Sequence, residues 1–275
     1  MARAHFNPIG TTALITGASS GLGVGFAHEL AERGADLVLV ARRQDRLEAL
    51  AVELAEKYGT ASTVIPLDLA AQGAVAELVA DLRSRNLTIG TLINNAGFGT
   101  FGTFAESDPA RALQEVAVNV QALTALTHAF LPDLLATART NRNGAALVNV
   151  ASTAAFQPVP RMAVYGATKA YVLSFTEALW YETRKTGLKV TTVCPGPVAT
   201  EFAHIARIGP ADGRVPRTVD AVMHAAFAVL DHSSTPPHTI IGARNTALAW
   251  LSTVLPRRAV VSMTGRLTKP RTAAM

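Results

Sequence analysis

A single cysteine, Cys194, stands in a chain of 275 residues, so no internal disulfide can form and nothing marks an oxidising compartment. Charged residues are few at 16% and aromatic ones fewer at 6%. So little charge beside 49% hydrophobic residues excludes a disordered chain, and 20 Gly and 14 Pro scattered without period exclude a fibrous repeat. Long apolar runs are missing too. The nearest, Thr246 to Leu255, falls well short of the roughly 18 residues of a membrane span. Met1 to Gly10 has no apolar segment followed by a small-residue cleavage site, so no signal peptide is expected and a soluble, cytoplasmic protein is. The seven histidines form no H-E-x-x-H and one cysteine forms no Cys-rich site, so no catalytic metal is expected. The net charge of +5 lies in scattered arginines without a zinc-finger pattern or stacking aromatics, which argues against nucleic acid as a partner. Only the C-terminal end gathers it, at Arg257, Arg258, Arg266, Lys269 and Arg271: either a solvated tail or a weak contact with an anionic surface.

What is present is an alternation. Short β-prone runs at Thr11 to Thr16, Asp36 to Val40, Ser62 to Leu67, Thr91 to Ile93, Ala146 to Val150, Lys189 to Val193 and near Thr239 to Ile241 are separated by helical stretches. The helices are expected at about 23–33, 44–58, up to 85, from Asp108 (N-cap) and Pro109 onward, 165–186 and 218–230, with Gly34 and Gly59 as stops. Leu113, Val116, Val120 and Leu123 recur at helical spacing, which predicts a buried face there. Strands that read as unbroken apolar runs are covered on both faces, so the fold class is α/β, a doubly wound parallel sheet of the Rossmann type, with ligands outside the carboxyl ends of the strands. Residues 1–245 form one domain, and 246–275 fall outside the alternation as an amphipathic, basic tail or cap.

Three places carry chemistry. The first strand runs into Thr16-Gly17-Ala18-Ser19-Ser20-Gly21-Leu22-Gly23 directly before a helix. Glycines admit positive φ and close approach while the helix N-terminus offers free N–H groups, which makes a phosphate cradle or, without a ligand, a tight strand-helix turn. After the second strand, where a dinucleotide fold often puts a carboxylate on the ribose 2′-hydroxyl, stand Arg42 and Arg43. Forked guanidiniums suit a 2′-phosphate and favour NADP(H) over NAD(H), unless they only begin the solvated helix that follows. Finally, Tyr165 and Lys169 lie four apart at the head of a helix, with Ser152 just after a strand. Residues i and i+4 share a helix face, so the ammonium is expected to sit near the phenol and lower its pKa, suiting it to exchange a proton with a carbonyl or alcohol. Asn119 is a polar side chain in an otherwise apolar stretch and needs partners if buried. Asp68 fits a helix N-cap as well as a ligand contact, Cys194 reads as a small buried hydrophobe, and no G-x-S-x-G surrounds Ser152, which removes a serine hydrolase.

In order along the chain, Gly17, Gly21 and Gly23, Asp68, Asn94-Asn95-Ala96-Gly97, Asn119, Ser152, Tyr165 with Lys169, and Pro195-Gly196 resemble the short-chain dehydrogenase/reductase (SDR) family over roughly residues 8 to 245. The resemblance implies an NADP(H)-dependent oxidoreductase with Asn119, Ser152, Tyr165 and Lys169 as catalytic residues. Tyr165 would be the general acid/base, Ser152 would bond the substrate oxygen, Lys169 would hold the nicotinamide ribose, and Asn119 would support a water relay through Lys169. It implies that the cofactor lies on Gly17, Ser19, Ser20, Gly21, Leu22, Gly23, Arg42 and Arg43, with Asp68 and Leu69 by the adenine. Asn95, Ala96 and Gly97 would then line the adenosine side and Pro195, Gly196, Val198 and Thr200 the nicotinamide side. It further implies a homodimer or homotetramer through the helices around Asp108 to Leu135 and Tyr165 to Thr186.

The substrate should meet the loops after the fourth, fifth and sixth strands, which carry Phe98, Phe101, Phe104, Phe156, Val159, Met162, Phe202, Ile205 and Ile208. They predict an apolar pocket for a hydrophobic ketone, aldehyde or alcohol. Two other readings stand beside this one: a nucleotide-binding regulator without catalysis, and a membrane-surface protein that uses the basic tail.

Overall fold

The apolar runs pair as expected. In the computed structural model, which describes residues 5–141, 143–207 and 216–268, β1 (Thr12–Thr16), β2 (Asp36–Ala41), β3 (Ser62–Pro66), β4 (Ile89–Asn94), β5 (Ala146–Val150), β6 (Lys189–Cys194) and β7 (His238–Ile240) form one parallel sheet ordered β3-β2-β1-β4-β5-β6-β7. Around it run α1 (Leu22–Glu32), α2 (Gln44–Tyr58), α3 (Ala74–Ser84), α4 (Pro109–Val116), α5 (Leu123–Thr140), α6 (Ala163–Thr183), α7 (Phe202–Ile205), α8 (Val219–Leu230), α9 (Ala243–Val254) and α10 (Arg257–Leu267). Among the described residues no helix is long and apolar enough to cross a membrane.

The period of two in each strand splits its side chains between two cores. Ala13 and Ile15 of β1 face Phe26 and Leu30 of α1, Leu47 and Leu54 of α2, and Phe227 of α8. Leu14, between them, faces the other way, toward Leu78 of α3, Leu126 and Phe130 of α5, and Leu179 of α6. Strand order reverses between β1 and β4, which opens a crevice at their carboxyl ends. Local signals set the helix ends: Asp108 accepts from the Ala110 N–H at 2.9 Å with Pro109 at the first position, and Gly59 closes α2 at φ 70°.

Two expectations are corrected here. Asp68 does not cap a helix: its carboxylate accepts from the Ala70 N–H at 3.0 Å in a local turn, and α3 begins after Gly73. Of the face predicted from Leu113, Val116, Val120 and Leu123, Leu123 is buried and Val116 and Val120 are half-buried, but Leu113 is not. Leu113 is 70% exposed, whereas Glu115 and Asn119 are 1% exposed. A π-type turn over Ala117–Ala122 then breaks the period before α5. The C-terminal segment is two helices, α9 starting at Ala243, and α10 carries Arg257, Arg258 and Arg266 on its exposed surface. Lys269 and Arg271 of the basic end, and Ile208 of the expected pocket, lie outside the described residues.

Candidate active site

Backbone conformation builds the phosphate side. Gly17 and Gly21 adopt φ +67° and +56°, in the left-handed region that side chains resist. A Cβ on Gly23 would stand 2.2 Å from the Gly17 carbonyl oxygen, so only glycine lets α1 start this close to β1. Gly21 leaves α1 without a side-chain cap and no acidic residue enters its first turn, so the first N–H groups remain available to an anion. Thr16 and Asn95 fasten this loop to the end of β4. The Thr16 hydroxyl accepts from the Asn95 and Ala96 N–H groups, both at 3.0 Å, and the Asn95 amide donates to the Thr16 and Gly17 carbonyls at 2.9 and 3.2 Å. Asn95 therefore acts on the loop by bracing it.

Of the two arginines, Arg43 faces the loop. Its guanidinium donates to the Ser19 hydroxyl at 3.1 and 3.2 Å and to Glu201 at 2.8 Å, while Arg42 is exposed. Ser20 and Leu22 are half-buried along the same loop, and Leu69 is buried near Asp68 at the end of β3. On the opposite wall Thr200 packs on Gly21, where a Cβ would meet its methyl at 2.9 Å. Val198 pairs with Arg217, the Pro195 carbonyl accepts from the Thr153 N–H at 2.9 Å, and Gly196 lies under Asn245. The glycines, the uncapped helix start and the positioned guanidinium together fit a phosphorylated dinucleotide.

The four polar residues picked from sequence lie on the π-type turn before α5 (Asn119), just after β5 (Ser152) and on α6 (Tyr165, Lys169). Lys169 is 5% exposed and donates to the Val150 carbonyl at 2.8 Å, with its nitrogen 5.8 Å from the Tyr165 ring centre. Gly97 closes the other side, where a Cβ would sit 3.3 Å from that nitrogen and 2.9 Å from the Asn119 side-chain oxygen. Asn119 finds its partners: it donates to the Phe98 carbonyl at 2.9 Å and the Thr168 hydroxyl at 3.0 Å, and accepts from the Phe98 N–H at 3.1 Å. It lies within the π-type turn, a distortion common where a helix serves a site.

Electrostatics correct one expectation. Burial pushes the Tyr165 phenol up to about 12, and it is the Ser152 hydroxyl, not the Lys169 ammonium, that pulls it back part of the way. Burial also pushes Lys169 down to about 8. Burial is the dominant influence on both groups, and the Lys169 ammonium donates its hydrogen bond to the Val150 carbonyl. Cys194 is fully buried and pushed up to about 12, as suits a packed thiol and not a nucleophile. Among the described residues no cluster could hold a metal ion.

Only part of the expected apolar wall surrounds Tyr165. Phe101, Val159, Met162 and Phe202 pack there, the Phe202 ring 5.3 Å from that of Tyr165. Phe98 lies under the Arg111 guanidinium instead, Phe156 turns to His238 and the core beneath α6, and Phe104 and Ile205 are 66% and 37% exposed. Two residues escaped the sequence reading. Glu115, one turn before Asn119, is buried with no well-formed hydrogen bond to either carboxylate oxygen, and burial pushes it up to about 7 against the pull of Thr100, Arg111 and Lys169. Glu201 ties Arg43 to Arg46. The i−4 spacing from Asn119 was the available signal for Glu115; none pointed to Glu201.

Comparison with known proteins agrees with this geometry. Residues 11–209 match the family model for short chain dehydrogenase. Sulfoacetaldehyde reductase 2 of Chromohalobacter salexigens is 38% identical over 190 residues, 69% of this chain and 73% of that protein. A short-chain dehydrogenase from Sphingobium yanoikuyae in complex with NADPH has a similar structure, with TM-score 0.78 and 33% identity over 96% of this chain and 98% of that one. The bulky-bulky ketone specific alcohol dehydrogenase from Comamonas testosteroni is also similar, with TM-score 0.72 and 31% identity over 96% of each chain.

Proposed function

The chain belongs to the short chain dehydrogenase family, and from that premise we propose that it is an NADP(H)-dependent oxidoreductase interconverting a hydrophobic ketone or aldehyde and its alcohol. The observation that carries this reading is the meeting of Tyr165, Lys169 and Asn119 beside Gly97, at the crevice that the glycine loop opens. The residues of that loop would hold the cofactor, with Arg43, which bonds Ser19, supplying the charge that a 2′-phosphate needs. Bound there, nicotinamide supplies or accepts the hydride. Ser152 donates a hydrogen bond to the substrate oxygen, and Tyr165, kept protonated by burial, gives its proton as negative charge develops on that oxygen. Lys169 would hold the nicotinamide ribose and, with Asn119 fixing the loop at Phe98, would line the route by which Tyr165 regains a proton.

Phe101, Val159, Met162 and Phe202 favour an apolar substrate, closer to the bulky ketone named for the Comamonas testosteroni enzyme than to the small charged aldehyde of the Chromohalobacter salexigens one. A carbonyl panel assayed by nicotinamide absorbance should show bulky ketones and aldehydes reduced with NADPH, and turnover of small polar sugars or hydroxy acids alone would overturn the substrate assignment. Arg43→Ala should weaken NADPH about tenfold or more and NADH little, because one charge-assisted fork is lost. The free buried thiol fits a reducing, cytoplasmic setting. A homodimer or homotetramer through the helices around Asp108 to Leu135 and Tyr165 to Thr186 belongs to the same reading, and size-exclusion chromatography with light scattering tests it.

A further inference from the structure

The segment after β6 is tied to the far side of the cofactor crevice by a single carboxylate. Glu201 accepts from Arg43 at 2.8 Å through one oxygen and from Arg46 at 2.7 Å through the other. Its neighbour Thr200 lies against Gly21, and Phe202 lies against Tyr165, so three successive residues touch the 2′-phosphate arginine, the glycine loop and the catalytic tyrosine. The Arg43 guanidinium that bonds Glu201 is the same one that bonds Ser19 of the glycine loop. A carboxylate and a phosphate oxygen seek the same fork geometry on a guanidinium. They also repel one another at that distance.

We propose that Glu201 competes with the cofactor's 2′-phosphate for Arg43 and Arg46, and that phosphate binding thereby releases the segment carrying Thr200 and Phe202. Glu201 is then a specificity-determining residue: it costs NADPH affinity, leaves NADH affinity alone, and makes the substrate-side segment responsive to the phosphate that distinguishes the two cofactors. The two arginines hold the Glu201 carboxyl down to about 2, so it stays charged through the working pH range. The proposal rests on the reading of Arg43 as the 2′-phosphate residue, and the experiment separates the two.

Dissociation constants of NADPH, NADH and adenosine 2′,5′-bisphosphate are measured by fluorescence titration for the native protein, Glu201→Gln, Arg43→Ala and the double variant. Glu201→Gln should tighten NADPH and the bisphosphate by about threefold to fivefold and leave NADH unchanged, the effect of removing one partly exposed like charge beside the phosphate. In the Arg43→Ala background the gain should shrink. Adenosine 2′,5′-bisphosphate, but not adenosine 5′-monophosphate, should speed proteolysis or amide exchange across residues 200–207 of the native protein. Unchanged or weaker NADPH binding in Glu201→Gln, or identical exchange with both nucleotides, overturns the proposal. Equal loss of NADPH and NADH in Arg43→Ala overturns the underlying phosphate reading instead.

Discussion

The two sides of the crevice are built by different means. On the phosphate side, from β1 to Gly97, shape comes from backbone: left-handed glycines, an uncapped helix start, carbonyls bridged by the Asn95 amide and N–H groups gathered by the Thr16 hydroxyl. On the substrate side, shape comes from side chains that cross between elements, as where Phe101, Val159, Met162 and Phe202 converge on Tyr165 from three separate loops. Backbone geometry tolerates no added atom, while side-chain packing adjusts by rotamer. The phosphate side should therefore fail abruptly under substitution and the substrate side by degrees.

The largest effect tests where the two sides meet. Tyr165→Phe removes the proton donor and keeps the ring, so turnover should fall by about a thousandfold while NADPH binding stays within a few-fold. Full retained activity would refute the assignment. Gly23→Ala comes next, because its methyl overlaps the Gly17 carbonyl at 2.2 Å and the backbone must move. NADPH affinity should fall far more than for an alanine placed at Phe202, and thermal denaturation will separate loss of the cradle from loss of the fold. Equal effects at the two positions would erase the contrast between the sides.

A smaller effect concerns Glu115, where polar chemistry intrudes on packing. Its folded pKa of about 7 lies above the ordinary 4.5, so the folded state holds the proton more tightly between those values. Stability from this group is present below about pH 4.5 and lost as pH rises through about 7, to the extent of about 3 kcal/mol above that. Glu115→Gln should therefore raise the melting temperature by several degrees above neutral pH and hardly at all near pH 4.5. A gain independent of pH would show that the carboxylate's charge is not what matters.

How well the sequence could be read follows the same division. The glycine loop, the strands and the four polar residues were legible because their signals are local: positive φ at fixed spacing, unbroken apolar runs, a tyrosine and lysine one turn apart. The buried face of α4 was not, since Leu113 is exposed while Glu115, two positions on, is buried, and the π-type turn at Ala117–Ala122 breaks the period before α5. Nor was the ordering of influences on Tyr165, because burial is a property of everything packed around the phenol.

The sequence by itself determined the order of strands and helices, the glycine turn between β1 and α1 and the one-turn spacing of Tyr165 and Lys169, all of which depend on neighbours a few residues away. Only the tertiary structure decided which arginine faces the cradle, which of the loop phenylalanines reach Tyr165, and that Glu201 spans to Arg43 and Arg46. Those outcomes depend on side chains separated by as many as 158 positions, whose meeting is set by how the sheet and its loops close in space.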